Sequence, residues 1–235
     1  MALHERLGSV APLSHRDRKL TAGLAAALAV VTIAVLLGAF TRLDQFALDH
    51  FMPWLSPRSR PPGDYAGFWR PFEPHIPGAD KLLGALTYPC SVLVSGLVVA
   101  IAAIVLWRRL GPFAALAPAG AWFVGNAIEV LLKHTIRPPA VYGSVGAERV
   151  HVVAFETSFA SGHMMRGLIV AYTLTLLWRE ASPWVWIWAA LVGPALVVTS
   201  SHPPSDVLGG LLVGLLLIVP ANAVVRHACR ERALT

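Results

Sequence analysis

Apolar residues fall in long runs along this chain, at 20–40, 81–107, 113–132, 164–178, 184–199 and 207–225, with short polar stretches between them. A helix needs about 20 largely apolar residues to cross a bilayer core. The pattern therefore predicts six membrane-spanning helices. The first run exceeds the roughly 7–15 residues of a signal-peptide core, and no small-x-small cleavage site follows it, so it reads as a retained helix. Basic residues close several runs: Arg108 and Arg109, then Arg179, then Arg226, Arg230 and Arg232. Residues 1–19 read as a polar, basic arm and 226–235 as a basic tail, both on the cytoplasmic side. The segment 41–80 reads as a connection on the other side, rich in Pro and aromatic residues, with a short interfacial helix expected within 46–55. Trp184, Trp186 and Trp188 suit an aromatic belt.

Composition agrees with this pattern. Hydrophobic residues make up 56% of the 235 positions and charged residues only 14%. A soluble domain has about 25% charged residues. The fold class expected is an all-α, polytopic membrane protein, a six-helix bundle occupying residues 20–225. The formal net charge of +6 lies mostly at the ends of apolar runs. It fits topology and anionic lipid better than nucleic acid. The two cysteines, Cys90 and Cys229, lie in an apolar run and in the basic tail, so a disulfide between them is not expected. No Cys/His cluster has zinc spacing.

With six spans both termini share a side. The ends of the third and fifth spans and the starts of the fourth and sixth then converge on the opposite, external side. Every polar motif falls there. On the third span Asn126, Glu129, Lys133 and Arg137 recur at helical spacing and form a polar stripe, which should face the bundle interior. Pro138 ends that helix. The stripe reads either as a cationic clamp for a phosphate or as an internal Glu129–Lys133 pair with a snorkelling Arg137. At the start of the fourth span, Ser161 is a good N-cap and Gly162 lets an anion approach the backbone. His163 and Arg166 follow on one face. At the start of the sixth span, His202 and Asp206 stand four apart, separated by Pro203, Pro204 and Ser205. Charged groups at membrane depth cost about 2.5–3.5 kcal/mol each on insertion scales, so the pair needs a reason. Asp206 holding the ring of His202 supplies one. Two histidines, a carboxylate and three cations make the parts list of covalent phosphoryl transfer.

The segments Ser158-Phe159-Ala160-Ser161-Gly162-His163 and His202-Pro203-Pro204-Ser205-Asp206 resemble two of the three motifs of the type-2 phosphatidic acid phosphatase superfamily, membrane lipid phosphatases related to vanadium haloperoxidases. The resemblance implies that His202 is the nucleophile and forms a phosphohistidine, that Asp206 orients it, and that His163 protonates the leaving oxygen and later activates water. It implies phosphate binding by Ser161 and the amide of Gly162, charge neutralisation by Lys133 and Arg137, and no metal or other cofactor. The chain departs from the family pattern in three places. Ala160 replaces the proline of the second motif. Lys133 and Arg137 are four apart where the family places its pair seven apart. The arginine expected six residues before His202 is Leu196. Arg166 is the cation available to take that arginine's place; its other reading is a structural partner of Glu129 or Glu156.

The resemblance thus implies a lipid phosphate phosphatase of the plasma or inner membrane, acting at the external face of the cell envelope on a polyprenyl diphosphate, phosphatidate or phosphatidylglycerophosphate. Its partners are the lipid substrate and the surrounding membrane lipids, with no nucleic acid; the oligomeric state is left open. Two rivals belong to other classes. One is a relative that binds lipid phosphate without turnover, suggested by Leu196. The other is a transporter, disfavoured because the charges cluster at one face and no inverted repeat is visible.

Overall fold

The computed structural model describes residues 13–51, 55–56, 73–74, 79–145 and 148–233. The arm residues 1–12 lie outside the described residues. So does most of 52–78, with Arg58, Phe68 and Trp69.

Among the described residues eight α-helices follow in order: α1 (His15–Leu36), α2 (Thr41–Phe51), α3 (Ala79–Thr87), α4 (Val92–Leu110), α5 (Pro112–Thr135), α6 (Gly162–Leu177), α7 (Ser182–Val198) and α8 (Pro204–Ala233). Strands are minor. Leu55–Ser56 (β1) pairs with Glu73–Pro74 (β2), and Tyr142–Val145 (β3) forms an antiparallel hairpin with Glu148–His151 (β4), Tyr142 opposite His151.

Local chemistry explains the breaks. The run 81–107 is split, because Pro89 lies in a 3₁₀ turn (Tyr88–Cys90) and Ser91 then caps α4, its side chain accepting from the Val94 amide. A proline has no amide to continue a helix. Gly111, at a left-handed φ of 94°, ends α4, and Pro112 opens α5; glycine tolerates that backbone and proline suits a first helical position. The C-terminal tail is not separate from the bundle, since α8 continues as helix to Ala233.

Among the described residues five helices are long and apolar enough to cross a membrane: α1, α4, α5, α7 with its preceding turn, and α8. The sixth is α6. It has 16 residues, about 24 Å of helix, and stands at the centre against α4, α5, α7 and α8. Every residue from Met164 to Thr173 is buried. A helix apolar on all sides belongs in such a place. α1 lies outside, against α8, with little of its surface covered. The expected six-helix bundle is present.

α2 is amphipathic, as expected of an interfacial helix, and begins at Thr41. Asp44, Ala47 and Leu48 are buried, while Leu43 and Phe46 face outward. Of the three tryptophans on α7, Trp184 faces outward; Trp186 and Trp188 pack toward the core, and Trp188 Nε1 donates to the Leu86 carbonyl at 3.0 Å. Both cysteines are free thiols.

Candidate active site

One end of the bundle gathers the C-terminus of α5, the N-terminus of α6, the α7–α8 turn and α2. The other end gathers the α4–α5 turn, the start of α1 and the end of α8, where Arg226 pairs with Asp17 at 2.8 Å.

At the first end the α6 start is laid directly on α8. Ser161 caps α6, its hydroxyl accepting from the Met164 amide at 3.3 Å, and its own amide donates to the Asp206 carbonyl at 2.9 Å. Gly210 makes this approach possible, because a Cβ there would fall on the Ser161 carbonyl.

The α7–α8 turn sets His202. Ser200 takes a left-handed φ of 49°, and the amides of Ser201 and His202 both donate to the Leu196 carbonyl, at 3.0 and 3.2 Å. This resembles the way left-handed residues close helix ends. Where the family pattern places an arginine, Leu196 is buried and its backbone anchors the turn. His202 therefore precedes α8 and lies off the helix itself. Its Nδ1 meets Asp206 Oδ2 at 3.2 Å; His202 is 8% exposed and Asp206 0%. With Asp206 accepting, Nδ1 is the donor, and Nε2 is the ring nitrogen that the carboxylate does not engage. The ring of His163 lies beside that of His202, centroids 6.1 Å apart and planes tilted by 53°.

The cations are arranged differently. Lys133 Nζ donates to Glu129 Oε1 at 2.6 Å. The Arg166 guanidinium pairs with Glu129 Oε2, donates to Asn126 Oδ1 at 2.9 Å, and uses Nε on the Cys90 carbonyl at 2.7 Å. Arg166 is 3% exposed. The Glu129 carboxylate rests against Gly162, where a Cβ would collide with it. Glu129 thus gathers Lys133 and Arg166 beside the α6 N-terminus, two cations on one carboxylate. Arg137 is exposed and folds back, its Nη1 donating to the carbonyls of Lys133 (2.5 Å) and Ile136 (3.3 Å). The structure therefore brings together Ser161, Gly162, His163, His202 and Asp206, adds Lys133 and Arg166 through Glu129, and leaves Arg137 on the rim.

Sequence reasoning missed Asp44. This α2 carboxylate, 6% exposed, accepts from the Ser205 amide through Oδ1 at 3.0 Å and from the Ser205 hydroxyl through Oδ2 at 2.7 Å. Burial pushes its carboxyl up to about 6, against the hydrogen bonds from Ser205, and the neighbouring Asp206 adds to the rise. A signal existed: Pro203 and Pro204 leave α8 without a local side-chain cap, so an acceptor had to come from elsewhere. Among the described residues no three His, Cys, Asp or Glu side chains gather in a way that could hold a metal ion.

Comparison with known proteins adds to this geometry. The chain matches the PAP2 superfamily over residues 84–228. It is also similar to a solved structure, the "first transmembrane PAP2 type phosphatidylglycerolphosphate phosphatase from Bacillus subtilis", with 17% sequence identity and a TM-score of 0.60, over 92% of this chain and 97% of that one. At that identity the likeness is one of fold. No curated protein matches. The family match covers more than half of the chain and takes in the α5 stripe, the α6 cap and the His202–Asp206 pair; the chain belongs to the PAP2 superfamily, as an integral membrane member.

Proposed function

We propose that this protein is a membrane lipid phosphatase that cleaves a phosphomonoester or diphosphate through a phosphohistidine on His202. The observation that carries the reading is the adjacent pair of imidazoles, one held through Nδ1 by a buried carboxylate, at the starts of two packed helices.

The chemistry follows from those positions. His202 Nε2 attacks phosphorus while the bond to the leaving oxygen breaks, and protonated His163 donates to that oxygen. For a diphosphate the leaving group is the lipid monophosphate. Asp206 accepts the Nδ1 proton in its hydrogen bond and stabilises the charge that develops on the ring, a role it fills without being protonated. His163, now neutral, takes a proton from water; the hydroxide attacks phosphorus, the P–N bond breaks, and phosphate departs. Free amides at the α6 N-terminus, Gly162 among them, and the Ser161 hydroxyl offer donors to the phosphate oxygens. Lys133 and Arg166 supply positive charge once phosphate competes with Glu129 for them. Arg137 stands at the rim with its guanidinium turned to the carbonyls of Lys133 and Ile136.

The substrate we assign is an amphiphile, its tail among the helices and its head at the polar end: a polyprenyl diphosphate, a phosphatidate or a phosphatidylglycerophosphate. The Bacillus subtilis protein of similar fold is, by its name, a phosphatase for the last of these. Basic residues at the opposite end, Arg108, Arg109, Arg226, Arg230 and Arg232, favour a cytoplasmic position for that end. The site then faces outward across the plasma or inner membrane.

A second reading, a lipid-phosphate binder without turnover, draws on Leu196 in the arginine position and on the commitment of Lys133 and Arg166 to Glu129. Phosphate release from purified protein, offered the three lipids and a short-chain phosphomonoester with EDTA present, separates the two. Release from at least one long-chain lipid supports the enzyme. Binding of all three without release supports the binder, and release abolished by EDTA contradicts the metal-free mechanism.

A further inference from the structure

Asp44 lies outside the segment that matches the family, yet its carboxylate reaches across 161 residues of sequence to the first turn of α8. The start of that helix is unusual. Pro203 and Pro204 carry no amide, so the Ser205 N–H is the first backbone donor the helix presents. A side chain of the local segment would ordinarily cap it. Here Asp44 takes both the amide and the hydroxyl of Ser205.

The next residue is Asp206. Its Oδ2 meets His202, while its buried Oδ1 has no hydrogen-bond partner among the described residues. Among the described residues no second side chain hydrogen-bonds to the carboxylate that orients His202. Its place is the place of its backbone, and that backbone is pinned by the Ser161 amide on the Asp206 carbonyl and by Asp44 on Ser205. α2 is itself braced: the Gln45 side chain accepts from the Tyr142 amide at 2.9 Å and donates to its carbonyl at 2.7 Å, and Asp49 pairs with Arg149 at 3.0 Å.

We propose that Asp44 is a positioning residue for the His202–Asp206 pair, a cap supplied from α2 that fixes the start of α8 and with it the aim of the nucleophile. The role rests on the phosphatase reading. It acts through geometry, since the hydrogen bonds of Asp44 go to Ser205.

The test measures kcat and KM for lipid phosphate hydrolysis in full-length variants, with His202→Ala alongside. Asp44→Ala lowers kcat by about 10²-fold, the effect of a misplacement of ~1 Å at a reacting group, with KM within about twofold. Asp44→Asn restores most of the loss, because its amide oxygen still accepts from the Ser205 N–H and its NH₂ donates to the hydroxyl. Leu43→Ala, on the exposed face of the same helix and outside both the cap and the braces, leaves kcat unchanged. Folded Asp44→Ala protein with wild-type kcat overturns the proposal, and so do equal losses in Asp44→Ala and Asp44→Asn, which would point to charge instead of capping. Should Asp44→Ala not fold, Ser205→Ala deletes one bond of the clamp and lowers kcat by about fivefold; an unchanged rate is fatal there as well. Peptide mapping after diethylpyrocarbonate treatment reads the same geometry without turnover. His202 modification rises by about fivefold in Asp44→Ala as the turn opens more often, and an unchanged rate overturns the proposal. Full activity in His202→Ala would sink the phosphatase mechanism instead, leaving the labelling result to judge Asp44.

Discussion

The two halves of the site are built by different means. The α6–α8 half rests on backbone: a serine cap, an amide on a carbonyl, two amides on the Leu196 carbonyl, and a glycine that allows one helix start to lie on another. The α5 half rests on side chains that choose one another: Lys133 and Arg166 on Glu129, and Arg137 on carbonyls behind it. Groups fixed by the backbone stay in place when substrate arrives. Groups fixed by ion pairing have to exchange partners. On the proposed mechanism the nucleophile and acid are thus preorganised, while the anion clamp is assembled on binding.

This difference can be broken from either side. His163→Ala strikes the preorganised half and is expected to lower kcat by about 10²–10⁴-fold, the usual worth of a positioned general acid. Phosphate release from a long-chain substrate, on protein shown to be folded, reads it. A loss smaller than that of any α5 variant would reverse the comparison.

Gly210→Ala tests the backbone contact itself. The new methyl meets the Ser161 carbonyl, and overpacking of this kind costs about 1–3 kcal/mol. Gly120→Ala, with nothing within 4 Å, gains up to about 1 kcal/mol from helix propensity. Thermal unfolding in one detergent compares the two. Equal midpoints would show that the close approach of α6 to α8 carries no weight.

The clamp is sharpened by two single substitutions. Lys133→Ala raises KM about tenfold, the loss of one charge-assisted hydrogen bond to phosphate, while Arg137→Ala leaves KM within about twofold, since its guanidinium is already turned to backbone carbonyls. Equal effects from the two would mean that the rim arginine swings in.

The smallest effect concerns pH and falls between the halves, at Asp44. Its carboxyl rises from 3.8 to about 6 in the folded protein, chiefly through burial. The folded state then holds this proton where the unfolded chain has lost it. The stability that comes from the group is full below pH 3.8 and is lost as pH rises through about 6. Asp44→Asn lacks the step. The wild-type unfolding midpoint should therefore drop relative to the variant's between about pH 4 and about pH 6 and run parallel above. A pH-independent difference contradicts this.

The sequence revealed the first half better than the second, for physical reasons. Apolar run lengths predict six spans, and the bundle has them, with α6 recognisable although its 16 residues fall short of a full crossing. A cap residue, a glycine and a histidine in order dictate a helix start whatever surrounds them, so the Ser161-Gly162-His163 arrangement could be read locally. The partners of Lys133 and Arg166 could not, because a stripe of Asn126, Glu129, Lys133 and Arg137 admits both a clamp and an internal pair. Only the packing of α6 against α5 decides that Glu129 meets Arg166. Asp44 was harder still. Its partner lies 161 residues away, and nothing in the local pattern of α2 says what its buried carboxylate will cap.

The central claim is a covalent phosphate on His202. Incubating the purified protein with a lipid phosphate labelled in the terminal phosphorus, quenching in alkali and mapping the peptides tests it directly. Alkali-stable, acid-labile label on the peptide that contains His202, and none in His202→Ala protein that has also lost turnover, is the expected result. Full turnover by His202→Ala, or label on another residue, would contradict it.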